Sequence, residues 1–82
     1  MVKSMTMKIG ERVIVDPKIH HGKPVIQGTR VPVSRIISGL AGGMTREEVM
    51  LEYELSAADI DAALAYAADL VDAYEFHPLP VG

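Results

Sequence analysis

The spacing of apolar residues divides the chain into an N-terminal third with strand character and a helical remainder. Arg12-Val-Ile-Val15 is a β-branched run closed by Asp16-Pro17, which predicts a strand ending in a turn. Val25-Ile-Gln27 and Thr29-Arg-Val31 are two more short runs hinged at Gly28. They predict a tight hairpin or a strand bulged at the glycine. Pro32 has no amide proton for a ladder, so pairing stops there, and its fixed φ suits the opening of a helix.

From Val33 onward the apolar spacing becomes three and four. Val33, Ile36, Ile37 and Leu40 share one face of a helix expected over Val33 to Ala41, ended by Gly42-Gly43. A second helix is expected from Thr45. Thr45 with Glu48 has the capping-box pattern, Met44 with Val49 can staple it, and its apolar face is Val49, Met50 and Tyr53. A third begins at Ser56, with Ser56 and Asp59 as its box and Leu55 with Ile60 as its staple. It runs from about Ala57 to Tyr74, and Ile60, Leu64, Ala67, Val71 and Tyr74 follow the 4-3-4-3 spacing of a helix meeting another helix. Ala58, Ala62, Ala65 and Ala68 add small residues that permit close approach. The fold class expected is mainly α with a small N-terminal β-structure. Residues 1–10 are expected as a flexible lead-in, 11–74 as one domain, and 75–82 as an extended tail interrupted by Pro78 and Pro80.

With 82 residues the chain has room for one domain. A domain of this size buries only about 60% of the surface its unfolded chain exposes. There is no cysteine to staple it, and the hydrophobic 49% is aliphatic, with one Phe, three Tyr and no Trp. A second copy of the chain is therefore an expected source of extra burial, with Ile60, Leu64, Ala67, Val71 and Tyr74 as the dimer or partner seam. No apolar run approaches the ~18–20 residues that cross a bilayer. Met1 to Lys8 lacks the apolar core of a signal peptide, so a cytoplasmic location and no membrane partner are expected.

The net charge of −3 hides a division. All eight Lys and Arg lie between Lys3 and Arg46, opposed there only by Glu11 and Asp16, a net +6. From Glu47 to Gly82 there are nine carboxylates and no Lys or Arg, a net −9. Such asymmetry fits two faces with different partners, or a basic half folded against an acidic half.

Catalytic chemistry finds little to work with. A zinc site needs three or four converging ligands, whereas His20 and His21 point apart if extended and no carboxylate stands at ligand spacing. They read as loop histidines. Glu47-Glu48 and Asp59/Asp61 sit in first turns, where they oppose the helix dipole. His21-Gly-Lys-Pro24 is a poor phosphate loop, because Gly-Lys leads to proline and strand instead of a helix. The chain is therefore read as a non-enzyme with no cofactor and no metal.

Two short helices and a longer one have the layout of a helix-turn-helix, with Ser56 onward as the recognition helix. That helix presents Asp59, Asp61 and alanines, which phosphates repel. Any DNA surface is expected on the basic half instead: Lys23, Arg30, Arg35 and Arg46, with Lys18 and Arg12 nearby. For Arg30 the competing reading is an anchor from the hairpin to a carboxylate such as Asp59.

Gly22-Lys-Pro-Val-Ile-Gln-Gly-Thr-Arg-Val-Pro-Val33, flanked by Val13-Ile-Val-Asp-Pro17, Gly43-Met-Thr-Arg-Glu-Glu-Val49 and Leu55-Ser-Ala-Ala-Asp-Ile-Asp-Ala-Ala-Leu-Ala-Tyr-Ala67, resembles the domain of unknown function 433 family. This is a family of small prokaryotic proteins related to VapB-type antitoxins. The resemblance implies a helix-turn-helix, winged-helix-like domain. It also implies an antitoxin that neutralises a PIN-like ribonuclease toxin and, with it, represses its own operon by binding operator DNA. No catalytic residue comes with it. Gly22, Pro24, Gly28, Thr29, Arg30 and Pro32 match its signature, and Arg30 is the polar side chain among them able to act on a partner. The alternative is a protein-interaction or assembly module that never touches DNA.

Overall fold

The computed structural model describes residues 6–73. Three strands, β1 (Met7–Gly10), β2 (Val13–Val15) and β3 (Val25–Ile26), form an antiparallel sheet in the order β1-β2-β3. Three helices follow: α1 (Val33–Ala41), α2 (Arg46–Tyr53) and α3 (Ala57–Asp72). The protein is mainly helical with a small N-terminal β part, as the spacing of its apolar residues indicates.

Met7–Gly10 departs from the expected lead-in. It pairs with β2, with Met7 opposite Val15, Lys8 opposite Ile14 and Gly10 opposite Val13, and the register slips between Lys8 and Gly10. The two-residue turn puts Arg12 at φ 61. After β2, Asp16 secures the chain. Its Oδ1 accepts from the Lys18 amide at 2.9 Å and its Oδ2 from the Thr6 hydroxyl at 2.8 Å. These bonds favour the ionised form, so its pKa lies below the ordinary aspartate value.

The hairpin expected over Val25 to Val31 is only half a ladder. Val25–Ile26 pairs with β2, but the returning limb is held by one bond, from the Ile26 amide to the Val31 carbonyl at 3.0 Å, and by a bridge of Val25 to Pro32. Proline has no donor, so the ladder cannot continue. The turn is fixed by Thr29. Its hydroxyl donates to the Ile26 carbonyl at 2.8 Å and accepts from the Val31 amide at 3.0 Å. Gly28 supplies the φ of +82 that the turn needs and a side chain would resist. Pro32 then caps α1, whose first amide, at Val33, reaches the Pro24 carbonyl at 3.0 Å.

Both expected capping boxes are formed. The Thr45 hydroxyl accepts from the Glu48 amide at 3.1 Å while Glu48 Oε1 accepts from the Thr45 amide at 2.9 Å. Ser56 and Asp59 repeat the arrangement at 3.1 and 3.0 Å. Between the two helices Glu54 takes a left-handed conformation, φ 54, and sends Leu55 into the core.

Every element but β1 contributes a buried residue to one core: Val13 from β2, Ile26 from β3, Val33 and Ile36 from α1, Val49 from α2, Leu55 from the turn, and Ile60 and Ala63 from α3; Ile9 of β1 packs against it partly buried. Ile37, Leu40, Met44, Met50, Tyr53 and Tyr66 pack around it. Gly39 leaves room on α1 for Met44, whose sulfur would stand 3.1 Å from a β-carbon there.

Candidate functional site

The signature segment 22–33 is a small folding device, and most of its side chains are spent on shape. Gly22 and Gly28 take left-handed φ values, Thr29 ties the turn, and Pro24 and Pro32 receive and cap α1. Val25, Ile26 and Val33 are buried. Lys23, Gln27 and Arg30 remain, all exposed. The backbone carbonyl of Arg30 accepts from His20 Nε2 at 2.8 Å, so His20, a solvent loop residue by expectation, ties the loop to the hairpin. Its ring must carry the proton on that nitrogen, because a carbonyl only accepts.

The expected cations fall into two groups. Arg46 forms an exposed ion pair with Asp61, at 2.8 Å across the α2–α3 corner. Arg12, from the β1–β2 turn, meets Asp59 at 3.2 Å, and the Asp59 side chain is only 14% exposed. Asp59 therefore caps α3 and anchors the sheet to it. The anchor imagined for Arg30 exists, but Arg12 supplies it. Lys23, Arg30 and Arg35 are exposed and form no ion pair among the described residues. Arg35 lies in the first turn of α1, close in sequence to Pro32 and Arg30, while Lys23 precedes the Pro24 carbonyl that holds the same helix start.

The seam expected on α3 is split. Ile60 is fully buried in the protein's own core, so it is not an interface residue. Leu64 is 39% exposed and Val71 73%, on one flank of the helix. Ala67 lines an open groove of about 520 Å³ between α1 and α3. Tyr74 lies outside the described residues. Val33, Ile37, Tyr66 and Leu70 also line the groove, together with Lys23 and Ser34. Tyr66 and Leu70 escaped the reading of the sequence. The signal was present, because Ile60, Ala63, Ala67 and Leu70 form a second stripe at 3-4-3 spacing. Among the described residues no group of three His, Cys, Asp or Glu could hold a metal ion. No helix there is long and apolar enough to cross a membrane.

These features define a small sheet-plus-three-helix module whose accessible chemistry is a basic loop, an acidic helix and an apolar groove. The chain belongs to the DUF433 family, described as protein of unknown function, whose pattern matches residues 13–67. An uncharacterized protein of Archaeoglobus fulgidus is similar to it, 65% identical over 23 residues, which are 28% of this chain and 64% of that protein. The chain thus spans less than two thirds of the length of this relative. No solved structure matches the chain.

Proposed function

We propose that the protein is an antitoxin-like DNA-binding regulator of the cytoplasm, not an enzyme, which neutralises a PIN-like ribonuclease toxin and represses its own operon. One observation carries the DNA reading. Asp59 and Asp61 at the start of α3 meet Arg12 and Arg46, whereas Arg30, Arg35 and Lys23 stand exposed and form no ion pair among the described residues, Asp16 being the carboxylate whose charge Arg30 feels. In this reading phosphates are met by the loop and the start of α1. The α3 carboxylates Asp69 and Asp72 suit the basic surface that an RNA-cutting toxin needs for its substrate, and such complementarity speeds and selects pairing.

The experiment is fluorescence anisotropy of the full chain on its own upstream DNA at two salt concentrations. Each cation that meets a phosphate adds about 0.9 to the slope of log affinity against log salt, so a fourfold rise in salt weakens binding about 3.5-fold per contact. Arg30→Ala is expected to weaken binding and remove about one contact from that slope while leaving helicity unchanged. An unchanged affinity and slope would remove Arg30 from the interface.

The second reading is an interaction module that does not bind DNA. The apolar groove beside acidic α3 favours it. Absence of binding at low salt, with and without a toxin partner, would select it.

A further inference from the structure

Three successive residues, His20, His21 and Gly22, take left-handed backbone, at φ 49, 56 and 87. Glycine does so freely, whereas the two histidines are strained there. Such strain persists where surrounding contacts over-determine it, and it concentrates at functional sites. The contact here is the bond from His20 Nε2 to the Arg30 carbonyl at 2.8 Å. The loop it comes from is anchored in turn, because the Ile19 amide donates to the Asp16 carbonyl and the Lys18 amide to the Asp16 carboxylate, both at 2.9 Å.

The backbone on either side of Arg30 is tied as well. Before it, the Thr29 amide donates to the Ile26 carbonyl at 3.0 Å. After it, the Val31 amide donates to the Thr29 hydroxyl and the Val31 carbonyl accepts from the Ile26 amide, each at 3.0 Å. Those bonds stay within the turn, whereas the His20 bond arrives from another loop and lands on Arg30 itself. The Arg30 side chain is exposed and forms no ion pair among the described residues. A fixed backbone beneath a free cation is preorganised for a partner, since less ordering remains to be done on binding.

We propose that His20 is a positioning residue for Arg30: its ring holds the Arg30 carbonyl and so fixes the direction in which the guanidinium leaves the turn towards a phosphate. The phosphate rests on the DNA reading above, but the brace does not, and the two are tested apart. His20→Gln and His20→Asn separate the bond from the backbone. Glutamine carries an amide donor at about the reach of Nε2. Asparagine accepts left-handed backbone more readily, but its donor is one methylene shorter.

Amide hydrogen exchange of the full chain is read first, without DNA. In His20→Asn the Thr29 and Val31 amides are expected to exchange about 2- to 10-fold faster, the loss of one hydrogen bond. The amides of α2 and α3 are expected to keep their rates, because His20 is exposed and lies outside the core. His20→Gln is expected to stay closer to the wild type. A His20→Asn chain as well protected as His20→Gln, or better, overturns the proposal, since backbone conformation and not the ring bond would then hold the turn. On upstream DNA, His20→Asn is expected to weaken binding by a similar factor with the salt slope unchanged, because Arg30 still meets its phosphate. Added to Arg30→Ala, it is expected to cost nothing more. A further loss in that double variant overturns the proposal, since His20 would then act other than through Arg30. So does an unchanged affinity of His20→Asn beside a weakened Arg30→Ala. A wild type that binds no DNA removes the phosphate, and exchange alone then decides whether His20 braces Arg30.

Discussion

The two halves of α3 are built from the same residue types at the same spacing and end in different environments. In the first half Ile60 and Ala63 are fully buried. In the second, Leu70 and Val71 are more than half exposed. The difference lies in what reaches the helix. β2, α1, α2 and Leu55 close over the first half, and Arg12 pins its N-terminus through Asp59. Among the described residues the second half is accompanied by the α1 side of the groove and, at Tyr66, by Gly10 of β1. Helical periodicity thus specifies a face, and the reach of the neighbouring elements decides whether that face becomes core or contact surface.

The largest test of this contrast is a pair of truncations. Ile60→Ala leaves a cavity among fully buried neighbours and is expected to cost about 2–5 kcal/mol. Val71→Ala, in dilute protein, is expected to change stability by less than about 0.5 kcal/mol. Urea unfolding of both variants reads the difference directly. A loss at Val71 comparable to that at Ile60 would break the comparison, because it would mean that the end of α3 is covered within the single chain.

A smaller effect is expected where α3 begins. Ser56→Ala removes the hydroxyl that accepts from the Asp59 amide and is expected to cost about 1 kcal/mol. Asp59→Ala removes the reciprocal cap and the Arg12 contact together, so it should cost more than Ser56→Ala. Thermal unfolding of the two variants ranks them. Equal losses would mean that Arg12 does not hold the sheet to α3.

Much of this frame is legible in the sequence, because local chemistry sets it. α1 runs from Val33 to Ala41 as Pro32 and Gly42-Gly43 dictate, and both capping boxes form at the residues whose side chains can make them. What escapes is non-local. Met7–Gly10 has little strand character of its own and is a strand because β2 offers an edge and Gly10 admits the Tyr66 ring, 3.3 Å from where a β-carbon would stand. Arg12 is a turn residue in sequence, and only the packing of the sheet on α3 brings it to Asp59. On α3 two stripes share Ile60 and Ala67. Side-chain bulk favours the one through Leu64 and Val71, whereas in the packed protein it is Ala63 that is fully buried and Leu70 that lines the groove. An alanine is a weak signal in a hydrophobic pattern, yet its small size is what lets the helix approach the core closely. The cations show the same limit. Residue type cannot tell Arg46, paired with Asp61, from Arg30, whose side chain makes no ion pair among the described residues.

The smallest expected effect separates the two ion pairs of the first half of α3. Arg46 and Asp61 meet at 2.8 Å, closer than Arg12 and Asp59 at 3.2 Å, so distance alone ranks the outer pair as the stronger. Exposure argues the reverse. The Arg46 and Asp61 side chains are 41% and 68% exposed, and water and salt screen such a pair to between zero and about 1 kcal/mol. The Asp59 carboxylate is 14% exposed, and less water competes for it. A double-mutant cycle of Arg46→Ala and Asp61→Ala is therefore expected to give a coupling below about 0.5 kcal/mol that vanishes in high salt. The Arg12 and Asp59 cycle should give a larger coupling that salt reduces less. A stronger coupling at Arg46 would mean that it fixes the corner between α2 and α3. If it does not, Arg46 is held too weakly to be withheld from phosphate. DNA binding by Arg46→Ala then shows whether it joins Arg30 and Arg35, through the change in salt slope that each phosphate contact contributes.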